Sequence, residues 1–312
     1  MNRMRIAALC ASLLASAAFA DEGGVSFWLP GQQSNFAALP GAPGFSMPLM
    51  YYHASVSSGS SKNFVTGGNL VAGLEADADL LFFVPTYTFK EPVAGGQAAL
   101  SLAWAVGQFK ATASSILTGR EGGSNERGRT DKASGGSDLY PLASLKWHEG
   151  DSSTMAYVMG GIPVGVYQAG RLANIGLNHA SIDGGFGYTY MAKGNEFSVV
   201  GGITYNWEND DTNYKNGVDS HVDFAFSHFF SPQLHAGVVG YAYYQLSGDS
   251  GSGAVLGDYK ARVYALGPQV GYFFPMGKEK AYVSLRGYYE FNAQNRADGW
   301  NTYLAASIPL GL

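Results

Sequence analysis

The sequence predicts an all-β chain: a closed antiparallel transmembrane β-barrel of about 12 strands with an irregular N-terminal segment. Three observations support this fold class. Strand-length stretches alternate between apolar and polar residues, and the connections between them alternate between tight turns and longer loops. The composition combines 14% charged and 14% aromatic residues with 43 Gly, and the mean hydropathy is only −0.04. Alternation hides the apolar surface of a barrel wall in this way, whereas a membrane-spanning helix needs about 18 consecutive apolar residues.

The N-terminus has the pattern of a secretory signal peptide, with two early arginines, a short apolar run and Ala-Phe-Ala before Asp21. The apolar run is too short for a membrane anchor, and it contains the only cysteine of the chain. The exported chain is therefore expected to fold without disulfides. We expect a signal peptide at residues 1–20, a Gly- and Pro-rich segment at 21–45 and the barrel at 46–312.

The stretch 278–292 illustrates the alternation. Arg286 and Glu290 share one face, and Leu285 lies on the other face, as in a strand with one wet and one dry side. In an outer-membrane barrel the dry face contacts lipid and the wet face lines the lumen. Extended to the other strands, the pattern predicts these candidate lumen residues: Glu75, Asp77, Asp79, Lys146, His179, Asp183, His221, Asp223, Lys280, Arg286 and Glu290.

The connections sort into two kinds. Tight turns are expected at 91–96, 148–151, 192–195, 230–233 and 275–279. Longer connections alternate with them, and this is the arrangement of tight periplasmic turns and long extracellular loops. The longest, 114–136, carries charges of both signs. It is expected either to cap the barrel or contact lipopolysaccharide, or to remain a mobile charged loop.

Several runs resemble a known family. They are GGVSFWLPG (23–31), ADLLFFVPTYTFKEPVAGGQAALSL (78–102), GIPVGVYQAGRLANIGLNHASIDGGFGYTY (161–190) and GPQVGYFFPMG (267–277). With the order of the remaining runs, the chain resembles the outer-membrane proteins associated with the meta-pathway of phenol degradation, the MetA-pathway family. The resemblance implies a barrel that takes up hydrophobic or aromatic compounds, related in design to fatty-acid channels whose N-terminal segment plugs the barrel. The chain ends in Leu312, where many bacterial barrels carry an aromatic residue for recognition by the barrel-assembly machinery.

The N-terminal segment carries Phe27, Trp28 and Phe36 among Gly and Pro residues. It is expected to fold into the lumen as a plug that binds a hydrophobic ligand, the alternative being a disordered periplasmic leader. Residues 155–167 are apolar on both faces, which favours a plugged or ligand-lined lumen. The predicted function is passive uptake of small hydrophobic, aromatic compounds by binding near this segment and diffusing through the lumen or a gap in the wall.

Two other classes of function remain open. A barrel hydrolase would use His179 and Ser181, which share a strand face with Asp183 in NHASID; a structural or adhesive surface barrel would use no lumen site at all. We predict no catalytic residue, metal or cofactor, and no nucleic-acid partner, because the net charge of −5 comes without a basic patch. The expected partners are outer-membrane lipid, lipopolysaccharide, the barrel-assembly machinery and a small hydrophobic or aromatic ligand, bound by a monomer.

Overall fold

Fifteen β-strands make up the computed structural model, which describes residues 22, 26–60, 62–119, 124–277 and 279–309. The predicted signal peptide and the chain end at Leu312 lie outside the described residues. The strands are β1 (Gly44–Ser57), β2 (Asn63–Thr66), β3 (Asn69–Phe83), β4 (Thr86–Thr88), β5 (Gln97–Thr118), β6 (Ser124–Gly136), β7 (Tyr140–Glu149), β8 (Ser152–Gly161), β9 (Ser181–Ala192), β10 (Asn195–Asn206), β11 (Asp219–Phe229), β12 (Leu234–Gln245), β13 (Arg262–Met276), β14 (Glu279–Gln294) and β15 (Asp298–Pro309).

The strands form one closed antiparallel barrel with 12 positions around its wall. Each wall strand pairs with its neighbours in sequence, and the barrel closes where β1 pairs with β15 from Ser46↔Pro309 to Ser57↔Asp298. Three strands are extra: β4 continues the line of β3, β6 lies above β7 along the same edge of β5, and β2 forms a short hairpin with β3. The predicted fold class and strand number are confirmed.

Alternation sets which side chains face lipid. On β14, Arg286 and Glu290 are buried in the lumen, whereas Leu285 is 50% and Tyr289 is 68% exposed on the outer face. Closure gives each of the 12 positions around the wall two hydrogen-bonded neighbours, as a strand in hydrocarbon requires. Exposed aromatic side chains frame the outer face near both ends of the strands, as at membrane interfaces; they include Phe45, Tyr87, Tyr190, Tyr205, Trp207, Phe230, Tyr244, Tyr272 and Trp300. Among the described residues, no helix is long and apolar enough to cross a membrane.

The prediction that 114–136 is a loop is wrong. Most of it is strand, because β5 runs to Thr118 and pairs with β6 as one long hairpin. Thr112 and Thr130 share a hydroxyl hydrogen bond of 3.0 Å across it. Thr and Ile have high strand propensity. The outer face of this hairpin is polar because it contacts water, and its backbone is regular. The hairpin continues past the apolar part of the wall, so its side chains are charged and polar. Such a sequence resembles that of a surface loop.

Two segments occupy the lumen. Residues 26–43, here called the inner segment, contact strands around the barrel, and Trp28 is only 1% exposed. Residues 162–180, the inner loop, fold inward from the end of β8. Leu172 and Ala173 of the inner loop are buried against Phe64, Val71 and Ala111 of the wall. The lumen is therefore filled by the chain's own residues over much of its cross-section.

Candidate functional site

Trp28 anchors the inner segment on a buried polar cluster. Its ring stacks on His221 with a centroid distance of 3.7 Å and an interplanar angle of 11°. Its indole N–H donates to Asp223 Oδ2 at 3.3 Å, and the backbone N–H groups of Gly31 and Gln33 donate to the same carboxylate at 2.9 and 3.1 Å. A buried carboxylate that accepts three N–H groups is satisfied without a cation.

The same cluster joins four strands behind Trp28. Asp183 accepts hydrogen bonds from Tyr157 at Oδ1, at 2.7 Å, and from Thr204 at Oδ2, at 2.6 Å, and His221 Nε2 lies 3.0 Å from Oδ2. Asp183 and Thr204 are both fully buried. Because β8, β9, β10 and β11 each contribute to it, the cluster forms only when these four neighbouring strands pair.

Further hydrogen bonds hold the rest of the inner segment. Tyr303 donates to the Pro30 carbonyl at 2.7 Å and Tyr288 to the Gly31 carbonyl at 3.2 Å. Gly31 needs its glycine, since its φ is +83° and a Cβ there would lie 2.9 Å from the Tyr288 ring. The remaining contacts run down the lumen as Arg286 to Ser34, Asn35 to Tyr282, Phe36 N–H to Glu196, Ala38 N–H to Thr189 and Lys146 to the Leu39 carbonyl.

Two cavities lie beside the inner segment. The upper cavity, about 170 Å³, is on the long-loop side, and the lower cavity, about 500 Å³, is on the tight-turn side. Leu29 of the inner segment, Leu80 of β3, and Ile175 and Leu177 of the inner loop line both cavities. Apolar side chains thus form the border between the two spaces.

The lumen wall has two different halves. Inward residues of β9, β10 and β11 are polar and hydrogen-bond to the inner segment or to each other, as Glu196, Thr189 and Asp223 do. Neither cavity is lined by β9, β10, β11 or β13 among the described residues. The cavities follow the other half, where β3 presents Leu74, Ala76 and other small or apolar side chains. The open space therefore runs between the inner segment and an apolar wall.

The upper cavity also has polar groups at its rim. Glu22 accepts hydrogen bonds from Asn209 at 2.9 Å, Gly68 N–H at 3.0 Å and Thr212 at 3.2 Å. Burial raises the pKa of Glu22 above its ordinary value. Arg296 pairs with Glu290 at 3.4 Å on the opposite side. These groups are engaged with one another rather than aimed at open space.

The acidic stripe of β3 faces the opposite way to the prediction. Glu75 and Asp79 are exposed on the outer face, and Leu74 and Ala76 line the lumen instead. Asp77 lies on the same outer face, 2.9 Å from Ser55, and 3.4 Å from Lys110. The two faces of the strand are separated as predicted, but the acidic face lies outside the barrel and the apolar face lies inside it. This end of β3 rises past the apolar band, so its outer face is solvated and its inner face borders the upper cavity.

The remaining predicted residues divide by position. Phe27, Trp28, Asp183, His221, Asp223, Arg286 and Glu290 are buried in the lumen, with Phe36 half-buried beside Tyr282 and Lys146 half-buried at the lower cavity. Lys280 shares the lumen face of β14 but is exposed at its tight-turn end. His179 lies in the inner loop, where burial lowers its pKa. The structure brings Trp28, His221, Asp223 and Asp183 into one cluster and leaves His179 and Lys280 apart from it.

The NHASID residues do not form a triad. Ser181 Oγ lies 3.2 Å from His179 Nδ1, but that nitrogen also lies 3.1 Å from the Ala180 carbonyl, to which it can donate. The Ser181 hydroxyl donates to Asn206 at 2.8 Å. Asp183 contacts His221 rather than His179. With its Nδ1–H on a carbonyl and no hydrogen bond to a carboxylate in the described part of the chain, His179 is poorly placed to activate Ser181.

The inner loop is the part of the site that the sequence prediction missed. Its run LANIGL supplies Leu172, Ile175 and Leu177, which pack inward or line the cavities. Three aliphatic residues within six positions of a predicted extracellular loop are poorly placed in water, and this was the available signal.

The chain matches the family model described as "Putative MetA-pathway of phenol degradation" over residues 59–306. The chain belongs to this family. No curated protein matches it in sequence.

Solved structures show a similar fold. The COG4313 outer membrane channel from Pseudomonas putida F1 superposes with a TM-score of 0.67 at 14% identity, covering 90% of this chain and 98% of that one. The translocator domain of the autotransporter NalP from Neisseria meningitidis gives 0.46 at 8% identity, covering 88% and 91%. A FadL homologue from Pseudomonas aeruginosa gives 0.40 at 9% identity, covering 84% and 89%. The superposition on the COG4313 channel shows that the family member described above shares the fold of that protein.

Proposed function

We propose that this family member is a monomeric channel in the outer membrane of a Gram-negative cell. It is exported through the signal peptide at residues 1–20. It takes up small hydrophobic compounds, aromatic ones among them, by passive diffusion and without covalent chemistry.

The observation that carries this proposal is the apolar half of the lumen. A general porin has a polar, water-filled interior. Here the cavities are bordered by Leu29, Leu80, Ile175 and Leu177, and the lower cavity adds Phe82 and Leu142. Apolar pockets with a few placed polar groups suit small hydrophobic ligands. The family description, which names phenol degradation, agrees with aromatic substrates.

The inner segment is the proposed plug. Its hydrogen bonds to β9, β10 and β11 hold it on the polar half of the barrel. Further hydrogen bonds reach β7, β14 and β15, and the proposed ligand path runs between the inner segment and the apolar half. Movement of Leu29 and Leu177 would join the upper and lower cavities. Uptake then needs only a local displacement, and the wall stays closed.

The test fills the lower cavity. Ala99 faces that cavity, and its neighbour Ala98 lies on the opposite face of β5. Cells with intact lipopolysaccharide and no channel of their own for hydrophobic compounds would express wild type, Ala99→Trp or Ala98→Trp. We expect uptake of labelled p-cresol to fall several-fold in Ala99→Trp and to stay at the wild-type rate in Ala98→Trp. Equal uptake by wild type and the empty vector would refute the proposed function.

A hydrolase remains the second candidate because Ser181 and His179 are in contact. The two functions separate in one variant. Ser181→Ala should leave p-cresol uptake unchanged, and neither wild type nor Ser181→Ala should release fatty acid from phospholipid vesicles. Lipid hydrolysis by wild type that disappears in Ser181→Ala would replace the channel with the enzyme.

A further inference from the structure

The lower cavity carries an uncompensated positive charge. Arg286 and Lys146 both line it, and no Asp or Glu is among its described lining residues. The upper cavity differs, because Glu22 and Glu290 line it together with Arg296. The electrostatic environments of the two spaces are therefore distinct.

Arg286 is the more buried of the two cations, at 4% exposure. Its guanidinium contacts the Ser34 hydroxyl, the Met50 sulfur at 3.9 Å and the face of the Tyr303 ring at 4.9 Å. Its Nε has no hydrogen-bond partner among the described residues, and none of their ion pairs includes Arg286. A guanidinium stays charged in proteins, and burying that charge without a counter-ion is costly.

The acidic residues nearby are already engaged. Asp223 accepts the N–H groups of Trp28, Gly31 and Gln33. Glu196 accepts the N–H of Phe36 at 3.0 Å. The inner segment thus occupies Asp223 and one oxygen of Glu196, and neither carboxylate forms an ion pair with Arg286 among the described residues. The Arg286 guanidinium is left for a group that enters the cavity.

Other side chains of the lower cavity determine which kind of molecule can carry such an anionic group into it. Phe82 and Leu142 line it with Met155, Met159 and Pro48. Methionine side chains adapt to different apolar shapes and make favourable contacts with aromatic rings. An inorganic anion or a sugar would leave this surface unused, whereas a molecule with an apolar body and one anionic end would use both features.

We propose that the lower cavity binds monocarboxylates with an apolar body, aromatic or aliphatic. The carboxylate pairs with the Arg286 guanidinium, and Lys146 supplies the second positive charge of the cavity. The site rests on the proposed channel function and narrows its substrates to organic acids. Arginine is suited to this role because its fixed fork of donors matches both oxygens of a carboxylate.

Binding of two matched ligands to the protein in nanodiscs tests the proposal, with empty nanodiscs subtracted. Cinnamate and cinnamyl alcohol share one carbon skeleton and differ at the charged end. We expect wild type at pH 7.5 to bind cinnamate about 10-fold more tightly than the alcohol, the effect of one charge-assisted pair. Arg286→Gln should bind both ligands equally, Arg286→Lys should keep part of the preference, and Lys193→Gln, in an exposed turn, should match wild type.

The outcomes separate the two proposals. If neither ligand binds wild type, the channel function itself fails. If wild type binds the alcohol as tightly as the acid, the carboxylate site is wrong and the hydrophobic channel stands. A preference for the acid that survives in Arg286→Gln also overturns the site. Should Arg286→Gln fail to insert, Arg286→Lys decides together with the wild-type comparison: it should keep only part of the preference, and a preference of the wild-type size would overturn the site.

Discussion

Asp223 binds the inner segment through three hydrogen bonds. Its carboxylate is 1% exposed and receives three N–H groups from the inner segment. His221, two residues earlier on the same face of β11, stacks under Trp28. One strand therefore holds the aromatic end of the inner segment by stacking and its backbone by charge-assisted hydrogen bonds.

Asp223→Asn should loosen the inner segment. Hydrogen bonds to a charged group contribute about 1.5–3 kcal/mol each, and an amide presents only one acceptor oxygen and no charge. We expect the open probability of single channels in planar bilayers to rise by about 10-fold or more, the effect of about 1.4 kcal/mol.

Asp210→Asn, in an exposed loop, is the matched control and should record like wild type. Identical openings from Asp223→Asn and wild type would mean that the inner segment is held by its other contacts, or does not close the channel.

At the scale of an element, the ion pair of Arg171 and Asp131 connects the inner loop to the β5–β6 hairpin. Arg171 donates to both oxygens of Asp131, at 2.7 and 3.1 Å, and also to the Lys132 carbonyl. The N–H of Leu172 adds a bond of 3.1 Å to Asp131. The inner loop also covers β6 through the Val166 N–H, which donates to Gly136 at 2.9 Å.

Acid should release this attachment. The hydrogen bond from Arg171 holds the pKa of Asp131 below its ordinary value. A depressed pKa in the folded state stabilises the folded state above the unfolded value of about 3.9, and this contribution is lost as the pH falls through the folded pKa. A spin label at Gln168→Cys should therefore be immobile at pH 7 and become mobile only as the pH falls below about 3.9 and through the lowered folded-state pKa of Asp131.

Asp131→Asn should leave that label mobile at every pH between 3 and 7, whereas Asp210→Asn should follow wild type. A label in Asp131→Asn that is as immobile at pH 7 as in wild type would show that Leu172 and its apolar contacts suffice to hold the loop.

Some elements were predictable and others were not. On β10 and β14 the alternation correctly separated Glu196 and Arg286 from Phe197 and Leu285, because lipid on one side and polar partners on the other make two unlike environments. On β3 the same pattern misled, since Asp79 faces outside water and Ala78 faces an apolar lumen. Period two identifies the two faces of a strand without naming what lies on each side.

For the whole molecule, the outer surface determines how the barrel sits in the membrane. Leu304 of β15 is 48% exposed on the apolar part of the wall, whereas Glu75 of β3 is exposed beyond it. An arginine facing lipid near the bilayer midplane costs about 2–4 kcal/mol, and the cost falls towards zero at the interfaces.

Leu304→Arg should therefore lower the free energy of unfolding in lipid vesicles by about 2–4 kcal/mol, and Glu75→Arg should leave it within about 0.5 kcal/mol of wild type. Urea titration followed by tryptophan fluorescence measures both. Equal destabilisation by the two variants would place the β3 acids inside the hydrocarbon layer and contradict the orientation described above.

The sequence alone was enough to predict the barrel, its strand number and the positions of its tight turns. Those features depend on local alternation and on turn residues, which neighbouring positions supply. The identity of each face, the path beside the inner segment and the unpaired charge of Arg286 required the closed molecule. They depend on which strands, inner segment and inner loop meet across the lumen, where residues as distant in sequence as Trp28 and Asp223 come into contact.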